Sequence, residues 1–255
     1  MMLVRLNEII EDDLFRKVSI ILCYPRRNES EALSRIAELQ SLGVEALLFE
    51  GSANLFGIPV LGKGNVGVVV VCLHKAARRA LKIRRVDADR ETMRKEAMML
   101  ERANAVEVGP KLLGSTSNFL LMELIEGAGI AQWLAEAAEP ASVKKLVRDL
   151  LEQCRSLDSV GVDHGQLSRA HRHVLVDALM GVHIIDFETA SVSRRHSNVT
   201  SIAHYIFFNK ENSRRVQQRL GQLHLETLRS KLRDYKRKRS DESFEAILSF
   251  LGLRT

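Results

Sequence analysis

Long apolar runs are missing from this 255-residue chain; the longest, such as "VGVVVVCL" (Val66–Leu73), fall far short of the roughly 20 residues of a membrane span. Cysteine is scarce. Cys23, Cys72 and Cys154 are scattered and odd in number, which excludes a disulfide framework and any zinc-ligand spacing, and points to a reducing cytoplasm. The opening "MMLVRLNEIIEDDLF" carries acids early and lacks the apolar core and cleavage site of a signal peptide. Internal repeats and low-complexity segments are absent as well. What remains is an ordinary globular composition, 45% hydrophobic and 27% charged, with a net charge of +6. A modest positive charge is a weak pointer to a polyanionic partner, and its placement matters more than its size.

The texture changes along the chain. Residues 1–57 read as a small α/β unit: "KVSIILCYP" as a buried strand closed by Pro25, then a helix over "SEALSRIAELQSLG" with Leu33, Ile36, Ala37 and Leu39 inward, then a strand over "VEALLFEG". So short a unit buries little core alone and is expected to pack on the β-rich residues C-terminal to it. Residues 58–126 are β-rich, with a hairpin around a basic turn, a helix through "RETMRKEAMMLERAN" and short strands at "PKLLGST" and "FLLMELIEG". Residues 127–255 become mainly helical, beginning with "AQWLAEAA" and "SVKKLVRDLLEQCRSLDSVG". The expected class is α+β: a two-lobed enzyme layout with a β-rich N-lobe, an α-rich C-lobe and a cleft at the joint near Gly127–Gly129.

Gly62, Gly64 and Gly67 form "GKGNVG", a G-x-G-x-x-G. The motif alone is often only a turn. A dinucleotide fingerprint runs from strand into helix, whereas here β-favouring "VVVVC" comes next, which suits a phosphate-covering loop between two strands. Fifteen residues on, Lys82 in "ALKI" sits among apolar residues on the next strand; it is either a surface lysine or a cation for the α- and β-phosphates of ATP. A phosphate-binding lysine needs a carboxylate to hold it. Glu96 shares a helical stripe with Met93, Ala97 and Leu100, and Glu91 and Glu101 are the alternatives. "LLMELIEG" reads as a hinge strand whose Glu123–Ile125 backbone, through Glu123 and Leu124, meets the adenine edge, with Met122 at the back. In "HIIDFETAS" an apolar strand ends at Asp186, a carboxylate suited to Mg²⁺.

Taken together, "GKGNVG", "ALKI", "EAMMLERAN", "VGPKLLG", "MELIEG", "HGQLS" and "IIDFETA" resemble the kinase superfamily, in particular the compact RIO-type and related archaeal kinases, over residues 58–205. The stretch "DHGQLSRAHRHVLVD" with "IIDFETAS" is most similar to an archaeal group described as Ser/Thr protein kinases. That group includes tRNA kinases acting on the 2′-hydroxyl of a uridine in the tRNA variable loop. The resemblance implies an ATP- and Mg²⁺-dependent phosphotransferase with tRNA as partner. The chain departs from the kinase pattern twice. Gln166 stands where the catalytic Asp belongs; its amide oxygen can orient a hydroxyl but cannot take a proton. His173 stands where a metal-binding Asn belongs, reached through two extra residues, and imidazole is a poor Mg²⁺ ligand. His171 and His173 are either bases or plain loop residues, and Asp163 is a further carboxylate. A Ser/Thr protein kinase and an ATP-binding pseudokinase that only holds RNA are the alternatives.

Between Lys210 and Arg239 stand eleven Lys or Arg against three acids. Arg215, Arg219, Arg229, Lys231, Arg233, Lys236 and Arg237 are the residues expected on an RNA backbone, against the plainer reading of a solvated helix surface.

Overall fold

The computed structural model describes residues 2–9, 12–136, 139–195 and 197–254. The chain divides into two compact units. The first holds the residues up to Met98 with Lys111–Leu124; the second holds Met99–Pro110 with everything from Ile125 on.

The first unit is built on one seven-stranded sheet. Strand β1 (Met2–Arg5) pairs with β2 (Val44–Phe49), and between them run α1 (Asp12–Leu22) and α2 (Glu29–Ser41). A small hairpin, β3 (Ala53–Leu55) and β4 (Ile58–Val60), lies off the sheet. β5 (Gly62–Lys63) then pairs with β6 (Gly67–His74), which turns into β7 (Ala77–Arg84). Lys75 and Ala76 both have positive φ at that turn, as a two-residue hairpin requires. After α3 (Arg94–Asn104) come β8 (Leu112–Ser115) and β9 (Phe119–Glu123), giving the order β1-β2-β6-β7-β9-β8. The N-terminal residues are therefore strands of the same sheet as the glycine motif, since β2 pairs antiparallel with β6.

Two expectations about these residues fail. "KVSIILCYP" is not a strand; its apolar run continues a helical stripe begun by Leu14 and Phe15, and Val18, Ile21 and Leu22 complete the buried face of α1. The inward face of α2 is also turned. Leu33 and Ala37 are exposed, whereas Ala32, Arg35, Ile36 and Leu39 are buried. Arg35 is fully buried because its guanidinium is satisfied. It donates to Glu31 (2.8 Å), to the carbonyls of Leu22 and Arg84 (2.6 Å each) and to Asn118 Oδ1 (3.0 Å). One side chain thus ties the two helices to β7 and to the β8–β9 turn.

The second unit is mainly helical. Strand β10 (Ala128–Gly129) leads into α4 (Ile130–Glu136) and α5 (Pro140–Ser159). The end of the expected "AQWLAEAA" helix, at 137–138, lies outside the described residues. Helix α5 buries Val143, Leu146, Val147, Leu150, Leu151, Cys154 and Leu157 at helical spacing, with Asp158 on the same stripe. β11 (Val174–Val176) and β12 (Val182–Ile184) join β10 in a three-stranded sheet. Then come α6 (Asn198–Ala203), a turn of π-helix at His204–Phe208, α7 (Lys210–Leu220), α8 (Leu225–Lys238) and α9 (Asp241–Phe250). A β-rich N-terminal region precedes a more helical C-terminal one, the composition of a bilobed kinase-like fold. Among the described residues, no helix is long and apolar enough to cross a membrane.

Candidate active site

Strand alternation places Lys82 within the first unit. Leu81 and Ile83 of β7 point into the core shared with α1 and α2, which leaves Ala80 and Lys82 on the other face. There Lys82 lies opposite Leu120, in the smaller cluster that joins Leu120 to Val66, Met93 and Ala97. Lys82 is 4% exposed, and its Nζ donates to Glu96 Oε1 at 2.7 Å; Glu96 is 3% exposed. Glu96, the expected partner, therefore reaches the lysine, and the alternatives Glu91 and Glu101 do not hold this position. Arg90 stands 3.9 Å from the other Glu96 oxygen. A buried pair of this kind is poor evidence for stability, because desolvation offsets most of its attraction. It does hold a cation in one place, as phosphate binding would require.

The glycine motif is a strand-turn-strand, with Gly62 and Lys63 in β5 and Gly67 starting β6. Gly64 N–H donates to the Gly67 carbonyl at 2.8 Å, and Arg85 ties the loop down through the carbonyls of Gly64 (3.0 Å) and Val66 (2.8 Å). Gly67 has a specific reason to lack a side chain: a Cβ there would stand 3.0 Å from Lys82 Cγ and 3.0 Å from the Ile83 carbonyl oxygen. The lysine stem runs where that methyl would be. At the end of β9, Met122 and Leu124 are half-buried and Glu123 is exposed. The Glu123 N–H already donates to the Lys111 carbonyl at 2.9 Å, so it is not open to an adenine edge. The backbone amides of Leu124 and Ile125 bond to no described residue.

The C-terminal candidate residues belong to the other unit. Asp186 comes after β12 with φ +68°, a left-handed conformation rare for a residue other than glycine and most frequent at functional positions. His173 is buried, with Nδ1 3.5 Å from Asp186 Oδ2. Burial pushes its pKa down, against the pull of the Asp186 charge. His164, wholly buried, stands edge-on to His173 and Phe187 with ring centroids 5.4 and 5.1 Å away, and its Nε2 meets the Ile185 carbonyl at 3.0 Å. Its pKa is lowered to about 4 by the same desolvation. Phe187 is seated against Gly109, where a Cβ would come within 2.7 Å of the ring. Gln166 is half-buried just before the short 3₁₀ segment Leu167–Arg172, and its side chain bonds to no described residue. His171 is separated from His173: it is exposed and stacks on Tyr205, centroids 6.3 Å apart. Asp163 is engaged by Arg194 at 2.8 Å and by the Gly165 amide.

Sequence reasoning missed what holds this loop. Asp158 of α5 accepts from Asn198 N–H and Nδ2 (2.8 Å each) and from the Tyr235 hydroxyl (2.9 Å). Asn198 Oδ1 in turn accepts from the His164 amide at 3.0 Å. The signal that could have found it was a charged residue inside the apolar stripe of α5.

Residues 73–204, just over half of the chain, match the RIO domain family. The chain belongs to the RIO family. No curated protein matches it. RIO-family membership carries the general activity of the group, ATP-dependent phosphotransfer. The match spans Lys82, Glu96, the Gln166 loop and Asp186; it stops short of the glycine motif on one side and of α7 to α9 on the other. The anchored cation of the Lys82–Glu96 pair is the group that would hold ATP phosphates, and Gly67 leaves its stem the space a Cβ would take. Among the described residues, no three His, Cys, Asp or Glu side chains cluster as a metal cage. Mg²⁺ takes one or two carboxylates and completes its shell with phosphate oxygens and water. Asp186 is the carboxylate that would hold it.

Helices α7 and α8 carry the basic residues unevenly. Arg215 pairs with Glu211 (2.5 Å), Arg229 with Glu226, and Arg237 with Asp234 (2.9 Å). Arg219 donates to the Arg215 carbonyl (3.0 Å), and Lys231 lies 6.0 Å over the Phe250 ring. Arg233 and Lys236 are exposed and, among the described residues, unpaired.

Proposed function

We propose that this RIO-family chain is an ATP- and Mg²⁺-dependent RNA kinase whose acceptor is a ribose 2′-hydroxyl, that of a uridine in the tRNA variable loop. Lys82, held by Glu96, binds phosphate. Asp186 holds Mg²⁺, which when bound neutralises charge on the phosphates. Gln166 orients the acceptor hydroxyl through its amide oxygen. Loss of the usual Asp is tolerable because phosphoryl transfer with a loose transition state rests on positioning and charge stabilisation more than on a base. His173, whose charged form burial disfavours, stands beside the Asp186 carboxylate, and His171 is stacked on Tyr205.

The observation that favours RNA over a peptide is the set of exposed cations on α7 and α8 without acidic partners among the described residues, Arg214, Arg233 and Lys236 among them. A solvated helix face pairs most of its charges, as Arg215 and Arg237 do here. The test is incubation with radiolabelled ATP and either total tRNA or a protein extract. Label in tRNA, at a nucleotide whose 3′ linkage resists alkali, supports the reading; label confined to protein makes the chain a protein kinase. Gln166→Asp should retain or raise turnover and Gln166→Ala should lower it at unchanged ATP affinity. The reverse order removes the orienting role.

A further inference from the structure

A cavity of about 820 Å³ is formed by the π-helical turn at His204–Phe208, α7 and the start of α8. None of the phosphotransfer residues lines it. π-Turns within helical segments are rare and concentrate at functional sites, because the extra residue re-aims its neighbours. Here the turn stacks His204 on Phe208, with centroids 4.8 Å apart and planes within 25°. His204 is exposed and Phe208 half-buried, so the pair presents aromatic surface to the cavity. The Arg229 guanidinium lies 5.1 Å over the Phe208 ring.

The rest of the wall has two further properties. Lys210 and Arg214 are exposed and form no ion pair among the described residues, although Arg215 beside them is paired. Gln218 and Gln222 are exposed amides bonded to no described residue. No acidic side chain is among the described wall residues. The ligand that uses all three features carries a flat ring, an anionic group and a hydrogen-bonding edge. That is a nucleotide, and the volume lies within the roughly 300–1,000 Å³ of small-molecule sites. A duplex does not offer a base this way, since its rings are stacked inside; a splayed nucleotide of a single-stranded loop does. Lipid headgroups would leave the aromatic stack and the amides unused.

We propose that this cavity binds one unstacked nucleotide of single-stranded RNA, its base against the His204–Phe208 stack, its phosphate on Lys210 and Arg214, and its base edge read by Gln218 and Gln222. The choice of RNA as the polymer rests on the RNA-kinase reading above; the nucleotide chemistry does not.

The test is fluorescence anisotropy of the full chain with a labelled short single-stranded RNA, the same sequence as a duplex, and unlabelled AMP as competitor. Phe208→Leu keeps apolar packing and removes the stack. It should weaken single-strand binding roughly ten- to a hundredfold and duplex binding much less. Arg214→Ala should shallow the salt dependence of single-strand binding by about 0.7 log per log. Both variants should melt at the parent temperature, since Arg214 is exposed and Leu refills the Phe208 site. Unchanged RNA binding in both variants, or equal losses for single strand and duplex, overturns the proposal. Displacement by AMP as effective as by unlabelled RNA overturns the RNA source and assigns the cavity to a free nucleotide. Binding is read without turnover, so a chain that binds RNA through Phe208 yet labels none removes the kinase reading and leaves the cavity as assigned.

Discussion

Single side chains carry the sharpest expectations. Lys82→Met keeps the length of the buried stem and removes the charge; Asp186→Asn keeps the shape and removes the metal-binding charge. Each should lower turnover by two or more orders of magnitude, since charge stabilisation is usually the largest catalytic contribution. Near-parental rates in either variant, in a steady-state phosphotransfer assay, would remove the site. A second expectation concerns pH and stability. His164 has its folded pKa lowered from 6.5 to about 4 by burial. The unfolded chain therefore binds the proton that the folded chain refuses. Stability should fall as pH drops below 6.5 and level off near 4, by roughly 3 kcal/mol for that span. His173 adds to the same loss, its pKa being lowered too. Denaturant midpoints measured across this window should slope down for the parent, and His164→Gln should flatten the slope. A parental slope in the variant would assign the effect to other groups. His164 shows how residue roles hide in a sequence. "HGQLS" was legible as a motif, yet nothing in it says that the histidine is a buried, neutral spacer between Phe187 and His173.

At the scale of elements, legibility tracked length and periodicity. Helix α5 stood out by its long stripe, β6 and β7 as β-rich runs flanking a basic turn, and β12 as the apolar run up to Asp186. Helix α1 did not. Its visible core, "VSIIL", is a short apolar run that suits a buried strand equally well, and the deciding residues, Leu14 and Phe15, sit among charges upstream. The face of α2 was misplaced for another reason: Arg35 enters the core only because carbonyls and Asn118 from distant segments meet it there. Arg35→Met should cost about 2–4 kcal/mol by leaving those acceptors unsatisfied, as chemical unfolding would measure; a loss under half of that would mean water replaces the guanidinium. For α8, the pairing pattern refines the basic stripe. Arg229 and Arg237 have acidic partners while Arg233 and Lys236 have none among the described residues, so the latter two should carry most of the phosphate contact. Arg233→Ala with Lys236→Ala should shallow the salt dependence of tRNA binding by about 1.4–1.8 log per log, two phosphates' worth. An unchanged slope would make α8 a solvated surface.

Across the whole molecule the charge is segregated. The segment from Lys210 to Arg239 holds eleven cations and three acids, more than the chain's entire net charge of +6, so all the rest is slightly acidic. On the proposed reading the polyanion ATP would be bound by local devices, the Lys82–Glu96 pair and the glycine loop, within an otherwise acidic remainder. On the same reading RNA would be drawn by a field confined to the C-terminal helices. The two ligands should therefore respond differently to salt, which screens a distributed field far more than a buried pair. Each ligand stabilises the fold by its occupancy, about 2.7 kcal/mol at a hundred times its dissociation constant. In unfolding experiments at rising salt, the tRNA-induced shift should vanish while most of the shift caused by ATP with Mg²⁺ persists. Lys82→Met should abolish the ATP shift and leave the tRNA shift intact. Removing Mg²⁺ with a chelator should shrink the ATP shift in the parent but make little difference in Asp186→Asn, which has already lost its metal-binding charge. If both ligands' shifts fade in parallel with salt, the segregation of charge does not organise binding, and the assignment of RNA to α7 and α8 fails with it.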